Sequence, residues 1–522
     1  MLSFGFGSCR RTSSEFVTVA LSEQFNTFDT LTTEKNDAAA ERVSNLLFNS
    51  LVKKAENFDY VGDLASEIKT SEDGKTISFT LRDGVKFHNG QPFTSADVKY
   101  TFEQLFDSKG FKSTAFFDTV PVAPGEVVLG PDGKPSKTKP VPHILSIETP
   151  DAKTVVFNLQ RPALRNQLLS NLVAIPVVGQ GTVPTQKDSP VGTGPFRFVN
   201  FDRSQNTVEL ASNLEYWDGG APKVSKLRIK TVTDASALQA ELQSGGVDLA
   251  PVPSNLPPDS LKSISALPNL KVEQFDGSNV QYLGMNTTVA PLDNLKLRQA
   301  IGYAIDREKI IKELLLGQAS IANSVLPVNS WSYSDTVKYG YEPEKARQLI
   351  KESGYKDERI KLSYASGNAA FNSFAQVIQS SLRDVGLNVD VDPVDPQTLR
   401  DNLKNGQFQL NIGVWIGGNQ DPIFLKDLFT TGRIPGEGVA CCNRGRYSNA
   451  EVDKLLEDAI NEVDRAKAKD LYTQAWGKIS NDLPLFPLWY PANMIVANKR
   501  IGNIKINPSG DWSFIKDITV NN

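Results

Sequence analysis

Apolar runs with a two-residue period alternate along this chain with stretches of helical period. Phe16-Val17-Thr18-Val19-Ala20 reads as a first strand, and Ile77 to Leu81 as another whose side chains alternate between two faces. A loop is expected after the first strand, around Phe25-Asn26-Thr27-Phe28-Asp29. Asn89-Gly90 signals a turn, and Thr94 with Asp97 three residues on provides a helix start of the capping-box kind. The helix that follows sets Val98, Phe102 and Leu105 on one face, the spacing of a stripe that packs on a core. Further helical patterns run from Leu295 to Leu316, Pro343 to Ser353, Phe371 to Val385 and Ala450 to Ile479. This alternation predicts an α/β fold. Residues 121–142, rich in Pro, Gly and Lys, predict a surface excursion.

A chain of 522 residues is too long for one hydrophobic core, so two or three packed units are expected. The formal net charge of −4, with no run of Lys and Arg, argues against a nucleic-acid partner. No apolar stretch approaches the roughly eighteen residues that a membrane-crossing helix needs. Catalytic signatures such as GxSxG, HExxH and Walker A are absent, and two scattered histidines leave little for acid–base chemistry. Asp390 and Asp392 could be imagined as glycosidase carboxylates, but strand alternation explains them. Gly192-Thr193-Gly194-Pro195 leads into a strand-like Phe196-Arg197-Phe198 and not into a helix, so it reads as a tight turn and not a phosphate loop. The expectation is a chain without enzymatic activity, metal or cofactor.

Cysteine use is sparse. Cys441 and Cys442 are adjacent; they could close a vicinal ring, pair elsewhere or stay reduced. At the start, Met1 to Ser8 is apolar and small and Cys9 follows, similar to the end of a bacterial lipoprotein signal. It departs from that pattern in Phe6, where Leu is usual, and in lacking a basic region or a full apolar segment. On this reading residues 1–15 are a signal remnant and tether, and Cys9 is the lipidation site.

Residues 84–105, GVKFHNGQPFTSADVKYTFEQL, closely resemble the signature of the family 5 bacterial solute-binding proteins, which includes the oligopeptide-, dipeptide- and nickel-binding components of ABC importers. Similar blocks follow in order: Val191 to Phe196, Asn213 to Gly219, Leu242 to Leu249, Leu283 to Asn286, Leu297 to Arg307, Pro343 to Tyr355 and Trp415 to Leu425. The resemblance implies a two-lobed periplasmic-binding-protein clamshell with an extra small inserted subdomain. Lobe I would comprise 16–57, 186–279 and 489–522, the inserted subdomain 58–185, and lobe II 280–488. The chain would cross between lobes near Gln281-Tyr282 and Trp489-Tyr490. It further implies capture of a solute, an oligopeptide foremost, between closing lobes, for delivery to an ABC permease and its ATPase. A neutral oligosaccharide, another small solute or a sensory role are the alternatives. Such a protein is expected to be a periplasmic or extracytoplasmic monomer that meets the membrane only through a lipid anchor.

The signature itself reads as turn, cap and packing, and His88 beside Asn89 is explained by the turn without metal. Candidate solute contacts are Phe25, Asn26, Thr27, Tyr282, Trp415, Gly417, Gly418, Asn419 and Asp421. In peptide-binding relatives an Asp three residues after the corresponding Trp pairs with the peptide α-ammonium; here that position is Gly418. Dipeptide-binding relatives carry an Arg for the solute carboxylate in the region matching 363–374, where this chain has none. Both charged anchors of a short-peptide site are therefore expected to be missing. Asp421-Pro422 reads as solute contact or as a turn into the next helix, and Trp415 as a cleft-lining ring or as core.

Overall fold

The structure is a computed structural model; it describes residues 16–521 apart from 36, 124, 130–134, 137, 254, 337, 418, 419, 437, 438, 440 and 441. Two mixed sheets organise two lobes. The first has seven strands in the order Phe196–Asp202, Thr207–Ser212, Lys226–Thr231, Val17–Leu21, Leu249–Pro251, Asn493–Asn498, Leu270–Phe275. Val17–Leu21 is buried along its whole length and runs parallel to both neighbours, as a two-sided central strand must. The second has six strands in the order Ala319–Ile321, Leu485–Pro491, Val280–Met285, Leu410–Trp415, Ile360–Ala365, Val389–Val394. Its central strand Val280–Met285 is also fully buried: Val280 and Tyr282 face one core, Leu283 and Met285 the other. A four-stranded antiparallel sheet, Ala65–Thr70, Thr76–Leu81, Thr154–Leu159 and Ile144–Asp151, makes a smaller unit that shares its core with the first lobe. The α/β architecture expected from the alternation is present.

The segment that resembles the family signature is scaffold. Asp97 Oδ2 accepts from the Thr94 N–H at 2.8 Å, starting the helix Ser95–Ser108, whose Val98, Phe102 and Leu105 are buried. The His88 ring bridges this segment to the Gly192–Gly194 turn: Nδ1 accepts from the Gly192 N–H at 3.3 Å, and Nε2 lies 3.0 Å from the Gly194 carbonyl. A neutral imidazole with its proton on Nε2 satisfies both bonds, and burial pushes its pKa down to about 4. The turn approaches backbone closely; a Cβ on Gly194 would lie 2.4 Å from the carbonyl carbon of Leu47. Phe117–Pro121 and Thr138–Pro142 pair as the arms of the surface excursion.

Two helices expected to be continuous are each divided. Leu295 to Leu316 forms Leu295–Ala304 and Arg307–Glu313, because Asp306 leaves helical geometry and caps the second helix through the Lys309 N–H at 2.9 Å. Ala450 to Ile479 becomes Ala450–Asn461 and Arg465–Asp482, with Asp464 capping the second through the Ala466 and Lys467 N–H groups. Pro343–Ser353 and Ala369–Asp384 are single helices.

The chain changes sheets at residues 276–279 and at Ala492. Gln281, Tyr282, Trp489 and Tyr490, near which the crossings are expected, lie in the buried strands of the six-stranded sheet that lead to them. Leu270–Phe275 pairs antiparallel with Asn493–Asn498 on one side, and Val280–Met285 with Leu485–Pro491 on the other.

Candidate functional site

Strands Val280–Met285 and Leu410–Trp415 are antiparallel, with Val280 opposite Trp415, Tyr282 opposite Gly413 and Gly284 opposite Asn411. Period-two alternation puts Tyr282, Asn411 and Trp415 on one face. Two glycines leave room for them: a Cβ on Gly413 would lie 2.3 Å from the Tyr282 hydroxyl, and one on Gly284 would lie 2.3 Å from Asn411 Oδ1. The Tyr282 ring stacks on Trp415, with centroids 5.9 Å apart and an interplanar angle of 16°, and Trp415 meets Phe424 edge-on at 5.0 Å. The Arg444 guanidinium carbon lies 5.5 Å from the centroid of the Trp415 ring. Tyr282, Asn411, Trp415 and Arg444 line a cavity of about 30 Å³ that reaches along the strands to Gly284 and Pro484, room for a carboxylate-sized group or a water or two. Trp415 Nε1 is buried and has no hydrogen-bond acceptor among the described residues. Burial raises the Tyr282 pKa, and the nearby Arg444 and Asn411 side chains partly oppose that.

Just beyond Trp415 the chain touches the sheet crossing. The Gly417 N–H donates to Asn279 Oδ1 at 3.3 Å from a backbone with φ +73°, a conformation that suits glycine, and Gln420 Nε2 donates to Ser278 Oγ at 2.8 Å. Here a second polar group spans the gap between the six-stranded lobe and the ribbon Val52–Lys54/Tyr60–Gly62. Lys54 Nζ donates to Gln420 Oε1 at 2.7 Å, and the Tyr60 hydroxyl donates to Asp421 Oδ2. Asp421 Oδ1 accepts from the Ile423 N–H at 2.8 Å. Arg465 pairs with Asp59 and lies over the Trp331 ring at 4.0 Å, while the Trp331 N–H donates to the Asn57 carbonyl at 3.0 Å. Burial raises the Asp421 pKa and lowers that of Lys54; each charge partly offsets the shift of the other.

The candidate residues therefore separate. Tyr282 and Trp415 are brought together at the crossing end of the six-stranded sheet, with Gly417 two residues on. Asp421 is nearby, but both its oxygens have partners inside the protein, so it joins parts of the fold and is not a free anchor. Phe25 is core, 3% exposed and edge-on to Phe28 and Phe201. Asn26 is exposed and donates to Asp37 Oδ2 at 3.3 Å, and Thr27 Oγ1 accepts from the Asp29 N–H. Among the described residues no hydrogen bond or ring contact joins these three to the Trp415 group. Gly418, Asn419, Cys9 and Cys441 lie outside the described residues. Cys442 is disulfide-bonded and, the chain having only three cysteines, its partner is outside them too. Arg444, Asn411, Lys54 and Tyr60 were missed by sequence reasoning; for Arg444 the one available signal was a cation two residues after adjacent cysteines. His88 and His143 are both engaged in packing, His143 Nε2 lying 3.3 Å from Asp118.

Two lobes joined by a double crossing, with the stacked Tyr282–Trp415 pair on the strands that lead out of it, make a two-lobed α/β architecture. The chain belongs to the bacterial extracellular solute-binding proteins, family 5, whose profile matches residues 59–436. Members of this family are binding proteins, not enzymes. The chain is similar to heme-binding protein A of Haemophilus influenzae, 29% identical, with 90% of this chain and 86% of that one covered. It is also similar to di/tripeptide-binding protein 1 of Pseudomonas aeruginosa, 29% identical, with 92% and 89% covered. The oligopeptide-binding protein AppA of Bacillus subtilis, solved with a nonapeptide, superposes with a TM-score of 0.70 at 25% identity, covering 97% of this chain and 99% of that one.

Proposed function

We propose that this protein captures an oligopeptide between its two lobes outside the cytoplasm and delivers it to an ABC permease and its ATPase. The observation that carries the reading is the placement of the Tyr282–Trp415 pair on the strands of the six-stranded sheet that lead out of the crossing to the other lobe. Closure about residues 276–279 and Ala492 brings the seven-stranded lobe over those strands, so a solute held there is contacted from both sides. Peptide is favoured because the Pseudomonas and Bacillus relatives are named for peptides and match nearly the whole chain. A free dipeptide is not, because burying its ammonium without a partner is unfavourable and the position of the usual acidic anchor is Gly418. A longer peptide held by backbone hydrogen bonds avoids that demand. Heme, raised by the name of the Haemophilus relative, finds no free imidazole here. Attachment by lipid at Cys9 is part of the same proposal. Mass spectrometry of the solute that co-purifies with the full chain tests it, joined to small-angle scattering before and after peptide is added. The expected results are a peptide of more than two residues and a smaller radius of gyration when loaded; a sugar, or an unchanged profile at saturation, overturns the reading.

A further inference from the structure

Among the described residues, the cavity beside Trp415 holds a cation without an anion. Arg444 is half-buried, and no ion pair to it exists among the described residues. Its charge is set against the Trp415 ring, which is itself backed by Tyr282. Trp415 lines the same cavity, and its buried Nε1–H has no acceptor among the described residues. A guanidinium fork and an indole N–H are both pure donors. Arg444 meets the Tyr282 hydroxyl but no anion among the described residues, and donors of this kind around a space of about 30 Å³ fit a small group that only accepts hydrogen bonds and carries negative charge. The space is too small for a whole amino-acid residue, so the guest is the end of something whose body lies elsewhere.

We propose that Arg444 and the Trp415 Nε1–H together receive a carboxylate of the bound solute, either the C-terminus of a peptide or an acidic side chain. This rests on the solute-capture reading and deepens it: the carboxylate anchor absent from residues 363–374 is supplied by a different element, the irregular segment Asn443-Arg444-Gly445. Tyr282 and Asn411 position it. The Tyr282 ring supports the indole, and its hydroxyl, beside Arg444 and Asn411, fixes where the guanidinium lies. The solute's α-ammonium has no counterpart in this cavity, so a peptide would enter it carboxylate first.

The test uses the full chain and three equimolar random tetrapeptide mixtures: free acids, C-terminal amides without acidic residues, and C-terminal amides that each contain one Glu. Retained peptides are quantified by mass spectrometry for the natural protein, Arg444→Gln and Trp415→Phe, with circular dichroism and thermal unfolding confirming that each variant is folded. The natural protein should retain free acids at least about tenfold over plain amides, the ratio expected of a charge-assisted hydrogen-bonded anchor. Arg444→Gln should abolish the ratio, and Trp415→Phe, which keeps the ring but removes the N–H, should reduce it. Retention of the Glu-containing amides would identify a side chain as the source of the carboxylate, and their loss a C-terminus. Equal retention of acids and plain amides by the natural protein, or an undiminished ratio in Arg444→Gln, overturns the proposal while leaving peptide capture intact. If no peptide is retained in any form, peptide capture fails on its own. Acetate and succinate titrations followed by tryptophan fluorescence then decide the anchor: a response in the natural protein that Arg444→Gln lacks upholds it, and no response ends it.

Discussion

His88 couples acid sensitivity to the joint between the helix Ser95–Ser108 and the Gly192–Gly194 turn, and its effect can be sized. Nδ1 accepts a backbone hydrogen bond, so the ring cannot be protonated there without losing the Gly192 contact. Burial lowers its pKa from 6.5 to about 4 in the folded protein. The unfolded chain therefore binds more protons below pH 6.5, and stability rises with pH through that window. The contribution is full above pH 6.5, falls as the pH drops and levels off below about 4. From the two pKa values the loss relative to neutral pH is about 2 kcal/mol at pH 5 and about 3 kcal/mol at pH 4. Other groups titrate in the same range, so the measurement is a difference. His88→Gln keeps an acceptor and a donor in roughly the same places but does not titrate. Urea unfolding of both proteins at pH 7.5, 6, 5 and 4.5 should show the variant within about 1 kcal/mol of the natural chain at neutral pH. It should then gain about 2 kcal/mol on the natural chain by pH 5. Parallel stability curves across that range would refute the argument and place a charged imidazole in the folded state.

Further outcomes follow from neighbouring features. Asp421→Ala should destabilise by about 3 kcal/mol, read from thermal unfolding, because it strands the buried Tyr60 hydroxyl and removes a countercharge from Lys54; an unchanged midpoint would mean the cluster opens to water. Trp415→Ala should weaken peptide binding by about 1–3 kcal/mol by calorimetry, and an unaffected affinity would make the ring purely core. Cys9→Ser, in a chain carrying a complete signal, should move the protein from the membrane to the soluble fraction on cell fractionation; retention with the membrane would rule out that anchor.

Local chemistry made parts of this fold legible. Pro343 at a helix start and Gly354 past its end bound a helix that the structure places at the expected residues. Where apolar period runs through a capping residue, as at Asp306 and Asp464, the period argued for continuity, but the side chain's hydrogen bonds to the following N–H groups ended the helix. The site divides along the same line. Trp415 and Tyr282 stand out as aromatic residues beside glycines, and the ladder stacks them. Asp421 was visible as a carboxylate before a proline, but its partner Tyr60 lies 361 positions away, and no periodicity carries that information. Arg444 sits in an irregular segment, where neither period nor spacing marks one cation from another.

The double crossing has a mechanical consequence. Its two strands stay antiparallel neighbours on both sides, Phe275 opposite Asn493 and Gln281 opposite Trp489, so they form a single ribbon threading both sheets. A paired ribbon bends readily across its flat face but resists shear within it, which leaves the lobes one soft rotation and blocks sliding. Gly277 keeps the pair in close contact, since a Cβ there would lie 1.9 Å from the Pro491 carbonyl oxygen. Asn493 fastens the ribbon from the side, donating to the Asp276 carbonyl at 3.0 Å and the Pro508 carbonyl at 3.1 Å. Lengthening one strand of the ribbon by a residue would thus do more than loosen a joint: it would put the lobes out of step, so that they close on mismatched faces.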